Sequence, residues 1–111
     1  MNIKKALIIT AIFVLLDFAF HYFGLLPDIS SLPERYFINK IVTALIIIFI
    51  ADWLLPKVQP WIIAIALSGY LQLYSYTKYF DTKTSIIMFI LHATFIYVGY
   101  ELYPKVQEAT T

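Results

Sequence analysis

Five ionisable residues stand inside otherwise apolar stretches: Asp17, His21, Asp52, His92 and Glu101. Charge is costly to hold away from water, so each is a functional candidate on chemical grounds. Asp17 and His21 are four positions apart, which places them one turn apart on one helix face. Asp-x-x-x-His offers a carboxylate and an imidazole suited to copper or zinc, and His92 is the candidate third ligand. The same atoms suit proton or substrate handling. They also suit a purely structural task, in which Asp17 and His21 pair with each other or with a neighbouring subunit and hold helices together. All three readings stay open at the level of sequence.

The elements that must position these groups follow from hydropathy. A membrane span needs about 20 mostly apolar residues. Four segments qualify: about 5–26, ended by Pro27; about 37–55, ended by Pro56; about 60–80, with Pro60 suited to a helix start; and about 84–103, ended by Pro104. Backbone groups must be paired within each segment in lipid, so all four are predicted as helices despite their Ile and Val content. The predicted fold is all-α: a polytopic four-transmembrane-helix bundle forming one domain over residues 1–111. Asp17, Gln72 and His92 each lie about eight residues from the same face. At about 1.5 Å per residue this predicts one polar layer roughly 12 Å deep, with His21 a turn away.

Composition supports lipid as the solvent. The 111 residues are 61% hydrophobic and 14% charged, with mean hydropathy +0.79. Soluble domains carry about 25% charged residues, and a chain this short has little interior in which to hide its apolar side chains. The net charge of +1 comes with no basic stripe, so nucleic acid is not an expected partner. The lack of cysteine excludes disulfides, thiolate metal sites and cysteine nucleophiles. No serine–base pair, phosphate loop or zinc-protease histidine pattern is present, so neither catalysis nor a cofactor is expected. Lys4 and Lys5 precede the run 6–26 as in a signal peptide, but the run is long enough to span. A retained first helix is expected.

The connections are short, so consecutive helices are expected to be antiparallel neighbours. Ser31-Leu-Pro-Glu34 has the form of a capping box before the second span, and Asp81 or Thr82 is suited to cap the fourth. The tail beyond Pro104 is expected to fray. Aromatic residues gather at the predicted ends, with Tyr22, Phe23, Tyr36, Phe37, Tyr76, Tyr79 and Phe80 at one interface and Trp53, Trp61, Tyr100 and Tyr103 at the other, as anchors do. Asp52 with Lys57 and Glu101 with Lys105 are expected as interfacial ion pairs. Ala64, Ser68, Gly69 and Gly99 offer small surfaces for close helix packing. Leu55-Pro-Lys-Val-Gln59 recurs as Tyr103-Pro-Lys-Val-Gln107, so the chain can be read as a duplicated helical hairpin. Four spans put Lys4, Lys5, Lys57 and Lys105 on one side and Arg35, Lys40, Lys78 and Lys83 on the other. That balance gives no orientation by itself, and the leading Lys4-Lys5 weakly favours cytoplasmic termini in a multi-pass protein of the cell membrane.

Two families share this outline. Four spans in about 110 residues with one acid, Asp17, in the first resemble the small multidrug resistance transporters. That likeness implies a homodimer in which Asp17 exchanges protons for a cationic substrate. The size, the four spans and the Ile/Tyr/Lys-rich composition also resemble the small accessory subunits of archaeal copper (ammonia) monooxygenase complexes. Asp17-x-x-x-His21 looks like the first half of an Asp–His–His copper motif in that enzyme class, but the motif's second histidine falls near Pro33 here. The second resemblance implies a non-catalytic membrane subunit whose partners are lipid and other integral membrane subunits, and this is the favoured expectation. The homodimeric transporter is the alternative.

Overall fold

Long runs of Ile, Val and Phe, which suit strands on a pleated sheet, form helices throughout. The computed structural model describes residues 3–24, 33–54, 57–78 and 81–110, and no strand occurs among them. The helices are α1 (Ile3–Tyr22), α2 (Glu34–Leu54), α3 (Pro60–Lys78) and α4 (Thr82–Thr110). Of these, α2 and α4 are long and apolar enough to cross a membrane. The predicted stops at Pro27 and Pro56, the capping box at Ser31, the aromatic positions Tyr79 and Phe80 and the side chain of Tyr76 lie outside the described residues.

Local chemistry sets the helix ends. α1 stops at Tyr22, a turn earlier than expected, because Gly24 takes a left-handed conformation (φ 83°). The Phe23 N–H donates to the Ala19 carbonyl there, and the Gly24 N–H donates to the His21 carbonyl. Glycine is favoured just past a helix end because it lacks the Cβ that this conformation would strain. At the start of α4, Asp81 is the cap. Its Oδ1 accepts the Thr84 N–H at 2.8 Å, and its carbonyl accepts the Ser85 N–H at 3.0 Å.

The far end of α4 corrects the sequence expectation. Pro104 does not terminate the helix, which continues to Thr110. Proline removes one backbone donor and crowds the preceding turn. Here the buried Tyr103 anchors the helix just before it, and Lys105, Gln107, Glu108 and Ala109 beyond it are good helix formers. The two Pro-Lys-Val-Gln copies therefore differ in conformation, since Lys57-Val-Gln59 is a link and its counterpart is helical.

The helices stand at the corners of a square. α1 packs on α2 and α4, and α3 packs on α4. The α2–α3 interface is thin although the two helices are consecutive, and the diagonal pairs α1–α3 and α2–α4 are not neighbours. Ile9, Phe13, Ile48, Leu67, Met88 and Ile96 fill the centre. Small residues bring backbones close, as expected where dispersion and shape drive packing. A Cβ on Gly99 would lie 3.0 Å from the Ile9 carbonyl oxygen, and one on Gly69 would lie 3.3 Å from the Phe89 ring. Beside Gly69, the Ser68 hydroxyl donates to the Phe89 carbonyl at 2.7 Å.

Candidate functional site: a buried charge cluster

Asp17 and His21 project from the second half of α1 into the centre, and both are 1% exposed. Their four-residue spacing brings His21 Nε2 to 3.4 Å from Asp17 Oδ1. His92 reaches the same carboxylate from α4, with Nε2 2.8 Å from Oδ1. The sequence puts Asp17 and His92 in one layer with Gln72, and His21 a turn away; the structure brings Asp17, His21 and His92 together.

The fourth member is Lys40 of α2. The sequence reading set it among the interfacial lysines, whereas it is 3% exposed. Its Nζ donates to Asp17 Oδ2 at 2.9 Å and lies 2.9 Å from His92 Nε2 and 3.4 Å from His21 Nε2. The cause is the start of α2. It begins at Glu34 rather than near Phe37, so Lys40 lies about one turn deeper than a start at Phe37 would place it. An ammonium has three N–H donors, and here it meets three acceptor groups on two other helices.

The His92 ring is oriented by its own helix. Nδ1 lies 2.6 Å from the Met88 carbonyl oxygen. A carbonyl only accepts, so Nδ1 carries a proton, and the ring turns its Nε2 to the cluster, 2.8 Å from Asp17 Oδ1 and 2.9 Å from Lys40 Nζ. Asp17 Oδ1 has two ring nitrogens close by yet receives no aligned hydrogen bond. Aromatic rings wall the set. Phe13 meets His92 edge-on at 5.6 Å, and Phe37 meets His21 edge-on at 5.3 Å. The Tyr36 ring lies 4.5 Å from Lys40 Nζ, within cation–π range. Asp17, His21 and His92 together present three ligand atoms within 4.8 Å of one another.

Gln72 does not join the cluster. It is 4% exposed on α3, the helix diagonal to α1. It lines an open groove of about 460 Å³ between α3 and α4, with Gly69, Leu73, Ser85 and Phe89. Neither atom of its amide group has a hydrogen-bond partner among the described residues. Depth along a helix axis was legible in the sequence, but the face of α3 that carries Gln72 was not.

The two expected ion pairs are also corrected. Asp52 pairs with Lys5, at 2.9 Å, rather than with Lys57. Antiparallel packing carries the start of α1 to the end of α2, so the partner near in space is remote in sequence. Lys5 Nζ also lies 5.6 Å from the Tyr103 ring centre. Glu101 interacts with the Tyr97 hydroxyl on its own helix. Among the described residues no ion pair joins Glu101 to Lys105 or Asp52 to Lys57.

Comparison with protein-family models, characterised proteins and solved structures gives no match to this chain.

Proposed function

We propose that this chain is a non-catalytic integral membrane subunit with four spans, which packs against and stabilises a larger membrane enzyme complex. The observation that carries this reading is the closure of the charge cluster within one chain. Asp17 is surrounded by nitrogens of Lys40, His21 and His92. The crevice beside Lys40, lined by Tyr36, Asn39, Leu71 and Tyr74, has a volume of about 10 Å³, which is at most about one water. A coupling acid that loads and releases a substrate needs access from water, whereas a helix clamp does not.

The outer faces support the same reading. Leu15, Ile46, Ile65, Leu73 and Ile90 are exposed, so every helix presents apolar surface outward to lipid or to other subunits. At 20 residues α1 is about 30 Å long, enough for the hydrocarbon core, and α3 at 19 residues is close to it. With Lys40 inside the bundle, the interfacial basic residues number four on the side of the termini (Lys4, Lys5, Lys57 and Lys105) and three on the other (Arg35, Lys78 and Lys83). This favours cytoplasmic termini. Size, composition and the Asp17-x-x-x-His21 pair make a copper (ammonia) monooxygenase-type complex the preferred host.

Mild solubilisation followed by native mass measurement tests the proposal. The expected particle holds this chain in fixed stoichiometry with other integral membrane subunits and retains their enzymatic activity. A particle of only one or two copies of this chain would contradict it. If such a dimer also drove proton-coupled efflux that Asp17→Asn abolished, the transporter would be the correct reading.

A further inference from the structure

We propose that Asp17, His21 and His92 form a binding site for a borderline divalent transition-metal ion, with the Lys40 ammonium occupying the metal's position when no metal is bound. The inference rests on the geometry of the cluster alone and holds whether the chain is a subunit or a transporter.

The argument starts from ligand spacing. Zinc-class ions bind nitrogen and oxygen at about 2.0–2.1 Å, so the ligand atoms of a tetrahedral site lie about 3.3–3.4 Å apart. Asp17 Oδ1 is 2.8 Å from His92 Nε2 and 3.4 Å from His21 Nε2, and the three ligand atoms lie within 4.8 Å of one another. Ligand orientation gives a second, independent indication. His92 donates Nδ1–H to the Met88 carbonyl at 2.6 Å, the outer hydrogen bond that fixes a metal-ligating imidazole with its Nε2 lone pair facing the ion. In this structure Nε2 faces a carboxylate oxygen which receives no aligned hydrogen bond. In the neutral Nδ1–H form that metal ligation requires, Nε2 and Oδ1 are two acceptors 2.8 Å apart, and they repel unless a positive charge bridges them.

Lys40 supplies that charge. Its Nζ is 2.9 Å from Asp17 Oδ2, 2.9 Å from His92 Nε2 and 3.4 Å from His21 Nε2. It therefore contacts all three candidate ligands, as a bound cation would. A metal ion and an ammonium cannot share this space, so binding requires the Lys40 side chain to withdraw. The Tyr36 ring and the crevice between α2 and α3 lie on its withdrawal side, along the thinnest interface of the bundle. With the metal bound, one carboxylate and two neutral imidazoles face a dication, and the displaced ammonium carries its charge to that seam. Withdrawal of Lys40 also releases Asp17 Oδ2, which is the fourth donor atom beside Oδ1 and the two Nε2 atoms, so the buried ion would join α1 to α4.

Titration of detergent-solubilised protein with Co²⁺, a visible-spectrum stand-in for Zn²⁺, tests the proposal. Lys40→Met should bind one Co²⁺ per chain with the strong visible bands of four-coordinate cobalt, and wild type should bind at least about tenfold more weakly. His92→Ala in the Lys40→Met background should lose those bands. Equal affinity in wild type and Lys40→Met would overturn the role of Lys40. No binding in either, or bands that survive His92→Ala, would overturn the site. Should Lys40→Met fold only with metal, its rescue by Co²⁺ and not by Mg²⁺ supports the proposal. Should it fold with neither, wild type at millimolar Co²⁺ decides. Four-coordinate bands that His92→Ala removes support the site, and their absence overturns it.

Discussion

Lys40 Nζ and His92 Nε2 lie 2.9 Å apart although they belong to α2 and α4, which stand diagonally across the bundle and are not neighbours. The lysine crosses the centre, and Asp17 of α1 receives its charge on the way. Three helices are thus tied at one point by side chains from four positions. The fourth helix, α3, is held instead by close packing on α4, where Ser68 donates to the Phe89 carbonyl.

Close packing of α1 on α4 depends on Gly99. Its added Cβ would meet a backbone carbonyl of Ile9 at 3.0 Å and that residue's Cγ2 at 3.1 Å. Backbone cannot rotate away, so Gly99→Ala should destabilise the bundle by about 1–3 kcal/mol. Gly69→Ala meets only a movable Phe89 ring atom at 3.3 Å and should cost less. Unfolding of the two variants in the same detergent gives the order, and a larger loss from Gly69→Ala would contradict this account of the interface.

The Lys5–Asp52 pair joins the start of α1 to the end of α2, with side chains 29% and 17% exposed. A partly exposed pair of this kind contributes up to about 1 kcal/mol. Lys5→Glu should lower stability, and adding Asp52→Lys should restore most of it. Lys57→Glu should leave stability close to wild type. A restoring effect from pairing Asp52→Lys with Lys57→Glu instead would return Asp52 to the partner nearest in sequence.

Asp81 gives α4 a pH-dependent start. Its hydrogen bonds to Thr84 hold its carboxyl below the ordinary aspartate value of 3.8. A lowered folded pKa stabilises the helix above the unfolded pKa, and that contribution is lost as pH falls through the folded value. Amide exchange at Thr84 and Ser85 should therefore speed up relative to the helix centre as pH falls below the ordinary aspartate range. Asp81→Asn keeps a capping oxygen without a charge and should flatten that dependence. An unchanged pH profile in Asp81→Asn would show that the carboxylate is not the cap.

The helices and the chemistry of the centre were legible in the sequence to different degrees. Asp17 and His21 announced themselves because a four-residue spacing on an apolar helix leaves little choice of face. His92 followed from its depth. Lys40 was missed because its depth depends on where α2 begins, and the turn from Glu34 to Phe37 carries no hydropathy signal that separates helix from link. Gln72 was assigned to the layer on depth alone, although its face points to the α3–α4 groove. The Pro104 stop failed because one proline weighs less than the helix formers that follow it and the buried Tyr103 before it. Asp52 found Lys5 because antiparallel packing, rather than chain proximity, sets its neighbour.

The central claim is that Asp17 and Lys40 form one closed, buried ion pair that clamps the bundle. A double-mutant cycle in a fixed detergent tests it most directly, using reversible unfolding of wild type, Asp17→Leu, Lys40→Met and the double variant. Removing one partner of a buried pair leaves an uncompensated charge and costs about 3–5 kcal/mol, whereas apolar replacement of both is close to neutral. Each single variant should therefore fall well below wild type, and the double variant should recover most of the loss. Additive losses, with the double variant the least stable of the four, would contradict the clamp.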